Sequence, residues 1–89
     1  MEKRIGTVLI LVENKDCIST LNQILSTHSS IIIARQGLPL RDKGLNVISL
    51  VIEGTTDDIG SLTGHLGRLK GILVKSVLTK YNTNNDKED

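Results

Sequence analysis

Apolar residues in this chain keep two different rhythms, and the order in which those rhythms alternate restricts the fold more than any other feature. Arg4 to Val12 is β-branched and aliphatic, with Ile5, Leu9 and Leu11 on one face and Val8, Ile10 and Val12 on the other, the two-residue period of a strand. From Asp16 to Thr27 the period lengthens. Cys17, Ile18, Leu21, Ile24 and Leu25 recur at helical spacing, and Asn14 or Asp16 can cap the start. Ser30 to Leu38 and Leu45 to Glu53 return to the strand pattern, joined by a connection from Pro39 to Gly44 that those two residues punctuate as a hairpin. Thr55 to Lys70 is helical again and opens with Thr55-x-x-Asp58, which resembles a capping box with Asp in place of Glu. Gly71 stands where a helix C-cap belongs, and Ile72 to Thr79 reads as a last strand.

The resulting order, β-α-β-β-α-β, is the split βαβ pattern of ferredoxin-like folds. It predicts an α+β sandwich, a four-stranded antiparallel sheet with two helices on one face and the first and third strands central. Residues 1–80 form the single expected domain. Tyr81 to Asp89, "YNTNNDKED", is polar and expected to be a disordered tail. The third strand places Ile48, Leu50 and Ile52 on one side and Leu45, Val47 and Val51 on the other, so both central strands are apolar on two faces. One layer of helices can cover only one of those faces. The other is expected to be buried against a second subunit, in a homo-oligomer that could be a dimer or a tetramer.

Composition removes several functions that use this element order. Eleven basic residues face ten acidic ones for a net charge of +1, without a basic cluster, which argues against direct nucleic-acid binding. Tyr81 is the one aromatic residue among 89, so the first and third strands lack the stacking residues of an RNA-recognition domain. The core must be built from Ile, Leu and Val. The longest apolar run, Val8 to Val12, is too short to span a bilayer, and Met1 to Lys3 has no signal-peptide pattern. Lone Cys17 can form no internal disulfide. These features predict a soluble, cytoplasmic protein with no membrane association.

Cys17 in "ENKDCIST" also lacks the second thiolate of a soft-metal carrier, and reads as a small boundary residue of the core. His28 and His65 lie far apart in sequence, with Asp57 and Asp58 near only the latter, and read as solvent-facing side chains. No metal ligand and no cofactor is assigned. With neither a Ser-His-Asp arrangement nor a placed pair of carboxylates, no enzymatic activity is expected.

Two patterns remain as candidate surfaces. Arg35-x-Gly37-x-Pro39-x-Arg41 sets two guanidinium groups around Gly and Pro, a combination suited to a carboxylate or phosphate, or to a partner's acidic residue. In the second helix, Gly60, Gly64 and Gly67 fall on one side, opposite Ile59, Leu62, Leu66 and Leu69. Glycine inside a helix costs roughly 1 kcal/mol against alanine, so such a face suggests the close approach of a neighbouring backbone, room for an effector, or tolerated low propensity.

With those residues in view, the chain resembles a small family of iron-only hydrogenase system regulators, stand-alone domains related to the ACT domain. The likeness spans Arg4 to Thr79 and is carried by "RQGLPLR" at Arg35 to Arg41, "GLNVISLVIEG" at Gly44 to Gly54 and "DDIGSLTGHLGRLKGILVKS" at Asp57 to Ser76. It implies an ACT-like ferredoxin fold, self-association and a regulatory role beside the hydrogenase, and it is similar to the ligand-binding domain of nickel-responsive regulators. ACT domains that bind amino acids commonly carry glycine in the loop after the first strand, whereas "VENKDC", Val12 to Cys17, has none. Two roles stay open: a ligand-sensing oligomeric module, or an interaction module without a small ligand. In either, regulation of transcription would pass through a protein partner. The isolated protein is expected not to retain duplex DNA at physiological salt in a mobility-shift assay; tight, salt-sensitive retention is the contrary result.

Overall fold

In the computed structural model, which describes residues 2–82, the elements run β1 (Arg4–Val12), α1 (Ile18–Thr27), β2 (Ile32–Leu40), β3 (Leu45–Gly54), α2 (Thr56–Gly67) and β4 (Ile72–Asn82). Short 3-10 turns at Lys15–Cys17, Ser29–Ile31 and Arg41–Lys43 lead into α1, β2 and β3. The sheet order is β2-β3-β1-β4 with antiparallel pairing throughout, so β1 and β3 are central as the sequence requires. The fold is the ferredoxin-like α+β sandwich.

The two faces of β1 part along its alternation. Val8, Ile10 and Val12 are buried under the helices together with Ile48, Leu50 and Ile52 of β3. Leu21 and Leu25 of α1 and Ile59, Leu62 and Leu66 of α2 close over them, and Ile72, Val74 and Leu78 of β4 pack at the margin. This core is aliphatic throughout. Fully burying one such side chain contributes about 1.5–3 kcal/mol. Cys17 packs against its edge and donates Sγ–H to the Asn14 carbonyl at 3.1 Å, the boundary role expected of it.

Local signals hold the helices in place. Asn14 Oδ1 accepts the Asp16 amide at 2.9 Å ahead of α1. Thr55 Oγ1 accepts the Asp58 amide at 3.1 Å while Asp58 Oδ2 accepts the Thr55 amide at 3.4 Å, a complete capping box in which Asp substitutes for Glu.

Several boundaries differ from the sequence reading. The second strand begins at Ile32 rather than Ser30 and runs through Pro39 to Leu40, so the connection shortens to Arg41–Gly44. Pro39 is tolerated because β2 is an edge strand, where a missing amide leaves no ladder bond unmade. The second helix ends at Gly67 with Arg68 as its C-cap, three residues before Gly71. Gly71 instead takes φ +81° in the turn into β4. Its carbonyl accepts the amides of Glu13 at 2.7 Å and Asn14 at 3.1 Å, and a Cβ there would run into Asn14 Cβ. The glycine is required by both backbone conformation and contact. β4 continues to Asn82, so Tyr81 and Asn82 are strand rather than tail; the rest of the expected tail lies outside the described residues.

The face of the sheet away from the helices carries the other half of the alternation. One row crosses all four strands as Leu38, Val47, Leu11 and Leu73, the next as Gln36, Ser49, Leu9 and Lys75, and the one beyond it as Ala34, Val51, Thr7 and Val77. Leu73 is 56% exposed, Val77 64%, Leu38 54% and Leu9 41%. Gln36, Ser49 and Lys75 flank Leu9 between the two apolar rows, and Thr7 turns its hydroxyl back to the Leu50 carbonyl at 2.8 Å.

Gly71→Ala is expected to lower unfolding free energy by about 2–4 kcal/mol, combining the left-handed backbone penalty with the clash at Asn14. Gly64→Ala, mid-helix and with nothing within 4 Å of an added Cβ, should raise it by up to about 1 kcal/mol. Urea melts of both variants give the comparison, and a neutral Gly71→Ala contradicts this reading of the turn.

Candidate functional site

Alternation along edge strand β2 turns Arg35, Gly37 and Pro39 toward the helix side, opposite Leu50, Ile48 and Asn46 of β3. A bulge between Ile32 and Ala34 sets this phase. α1 covers only the inner part of the sheet there and leaves a cavity of about 360 Å³ between itself, β2 and β3. Val12, Ile18, Leu21 and Ile48 supply its apolar wall, and Asn22, Arg35 and Asn46 its polar groups. Arg35 donates from Nη2 to Asn22 Oδ1 at 3.0 Å. That partner is a neutral amide, so the bond orients the guanidinium and leaves its charge uncompensated. A Cβ added at Gly37 meets nothing within 4 Å, so the glycine keeps the β2 wall of the cavity low.

Most of the Arg35 to Arg41 motif therefore lies in a strand that runs on through Pro39 to Leu40. Arg35, Gly37 and Pro39 line one cavity. Arg41 lies beyond it, exposed in the turn after β2. Gly60, Gly64 and Gly67 sit on exposed positions of α2, away from the cavity lining, and the space beside each is open. Ile59, Leu62 and Leu66 are the buried stripe opposite them, so the phase of that helix follows its sequence.

A second hollow, of about 320 Å³, runs between α1 and α2. It brings together His28 and His65, whose ring centroids are 5.6 Å apart. His28 Nδ1 bonds the Ile24 carbonyl at 2.8 Å and its Nε2 lies 3.2 Å from Ser61 Oγ, while His65 Nδ1 bonds the Ser61 carbonyl at 2.6 Å. Sequence separation hid this pairing, and the half-buried His28 is not simply solvent-facing. Its detectable signal is the antiparallel helix pair of the fold, which sets the end of α1 against the side of α2 that carries Ser61 and His65.

A model of the TM1266-like family, described as an iron-only hydrogenase system regulator, matches residues 4–76. The chain belongs to that family. The structure of the uncharacterized protein TM1266 from Thermotoga maritima is similar to it at 35% identity and a TM-score of 0.84, over 89% of this chain and 100% of that one. The ACT domain of the GTP pyrophosphokinase of Chlorobium tepidum matches at 21% identity and a TM-score of 0.64, over 84% and 99% of the two chains. The C-terminal domain of the MgtC protein of Mycobacterium tuberculosis matches at 10% identity and 0.66, over 88% and 89%. At those lower identities the likeness shows the fold alone, which is ACT-like. No curated protein matches the sequence.

In this TM1266-like chain the loop after β1 directs its amides inward. Those of Glu13 and Asn14 are both taken by the Gly71 carbonyl, which fits the missing glycine in "VENKDC" and leaves Arg35, Asn22 and Asn46 as the polar groups that line the neighbouring cavity. Among the described residues no helix is long and apolar enough to cross a membrane.

Because Gly37 sits inside a strand with free space beside it, Gly37→Val is expected to fill part of the cavity and to raise stability by about 0.5–1 kcal/mol through strand propensity. A thermal melt with circular dichroism checks this; a destabilised variant contradicts the open wall.

Proposed function

We propose that this protein is a non-enzymatic, cytoplasmic regulatory domain of an iron-only hydrogenase system that holds a small anionic effector in the cavity between α1 and β2. The observation that supports this reading is Arg35, oriented by Asn22 at the mouth of a mostly apolar hollow with its charge uncompensated by that bond. A guanidinium beside an aliphatic wall suits a carboxylate or phosphate joined to an apolar body. About 360 Å³ is the volume scale of a small metabolite.

The same reading takes the open sheet face as the contact between copies of the chain, in a dimer or a tetramer. Leu38 and Val47 belong both to the apolar row of that face and to the cavity lining, so a copy packed there borders the cavity and places the effector beside a subunit interface. Action on a promoter would run through a separate regulatory protein. The open face alone favours a second reading, an assembly module that recognises its partner and takes no ligand.

A thermal-shift screen of amino acids, organic acids and nucleotides separates the two, since a ligand of the native state raises its melting temperature. The expected hit is an anion whose effect is lost in Arg35→Ala and in Gly37→Val while both variants melt at or above the parent temperature. A screen without hits leaves the assembly module as the reading. Light scattering across a dilution series is expected to give a dimer or larger species at micromolar concentration, and Leu73→Glu to dissociate it without unfolding the chain. A parent protein that is monomeric throughout removes the sheet-face contact.

A further inference from the structure

We propose that His28 and His65 form a binding site for a divalent transition-metal ion, distinct from the Arg35 cavity and bridging the two helices. A carbonyl oxygen can only accept a hydrogen bond, so the contacts of His28 Nδ1 to Ile24 O and of His65 Nδ1 to Ser61 O fix the proton of each neutral ring on Nδ1. Both lone pairs are thereby placed on Nε2. This is the arrangement in which ligating histidines are held, with the remote nitrogen anchored by a carbonyl that orients the ring and raises its basicity.

The spacing fits as well. Two imidazoles that share one tetrahedral ion through nitrogens at about 2.1 Å have ring centroids roughly 5 Å apart, against 5.6 Å here, with the ring planes inclined at 53° rather than stacked. His28 Nε2 faces the Ser61 hydroxyl at 3.2 Å, a long bond that an incoming ion can displace. His65 Nε2 has no hydrogen-bond partner among the described residues. The surrounding hollow is open to solvent and lined partly by Thr20, Gln23 and Thr27, whose oxygens and bound waters can complete the coordination.

Among the described residues no cluster of three or more His, Cys, Asp and Glu forms. The site is therefore a two-imidazole one, and nitrogen ligation selects Zn²⁺ or Cu²⁺ over Mg²⁺ or Ca²⁺. Its consequence is mechanical. One ligand ends α1 and the other lies in the last turn of α2, so the ion fastens the two helices to each other. Metal and proton compete for the same lone pairs, and binding weakens in acid.

The test uses untagged, full-length protein. Titration calorimetry with Zn²⁺ is expected to show one ion per chain at micromolar concentration, and Cu²⁺ to give an electron paramagnetic resonance spectrum with imidazole-nitrogen couplings. His28→Gln and His65→Gln should each weaken binding at least tenfold and remove those couplings, while Cys17→Ser keeps both signals. Because His65 is exposed and its replacement leaves the core untouched, that variant decides the matter if His28→Gln does not fold. An absence of saturable binding to the parent protein, or binding undiminished in His65→Gln, overturns the proposal.

Discussion

The pairing of β1 on both edges is the constraint from which the rest of the structure follows. Nine residues, Arg4 to Val12, are held between β3 and β4, and because side chains alternate strictly, the register that puts Val8, Ile10 and Val12 beneath the helices also puts Ile5, Leu9 and Leu11 on the other face. A slip of one residue would exchange two sets of similar hydrophobicity. The sequence therefore relies on other features to choose between them. Thr7 bonds the Leu50 carbonyl from the outer face, and Gly6, buried on the helix side, meets the backbone of Val77 so closely that an added Cβ would lie 2.6 Å from its carbonyl oxygen. These polar and steric markers distinguish two faces that hydrophobicity does not.

The same geometry explains what could be read in advance. Element types and their order were legible because each segment holds one period for most of its length, and the central position of β1 and β3 follows from that order. The capping box at Thr55 and Asp58 was legible because it is local. Errors gathered where a residue's ordinary meaning depends on tertiary position. Pro39 marks a turn in most contexts, yet on an edge strand its missing amide goes unneeded, and the strand runs through it. Gly71 has the left-handed conformation of a helix C-cap but uses it three residues later, in service of the contact with Glu13 and Asn14.

The candidate sites divide along the same line. Gly37 and Arg35 lie two residues apart on one face of a strand that the sequence already showed, so their shared surface was within its reach. Their complement on α1, Ile18 and Asn22, is one helical turn apart but separated from them by a loop and a 3-10 turn. His28 and His65 belong to different helices and meet only because those helices are antiparallel. Gly60, Gly64 and Gly67 are the reverse case: the helix phase was correct, and the space beside each is open, so no packing within the chain accounts for glycine rather than alanine there.

On the proposed regulatory reading, communication between effector and interface needs little distance, because the two surfaces share residues. Leu38 and Val47 contribute to the apolar row of the open sheet face and to the lining of the Arg35 cavity. Anything that repositions edge strand β2 alters both at once. On the proposed reading, an effector seated between α1 and β2 would have different contacts in the associated and the free chain, and linkage would require that association change effector affinity by the same factor that the effector changes association. β2 suits such a role, being bonded on one edge only, interrupted by a bulge after Ile32 and lacking an amide at Pro39. Its weak attachment would then let ligand occupancy and subunit contact act on each other in the proposed regulator.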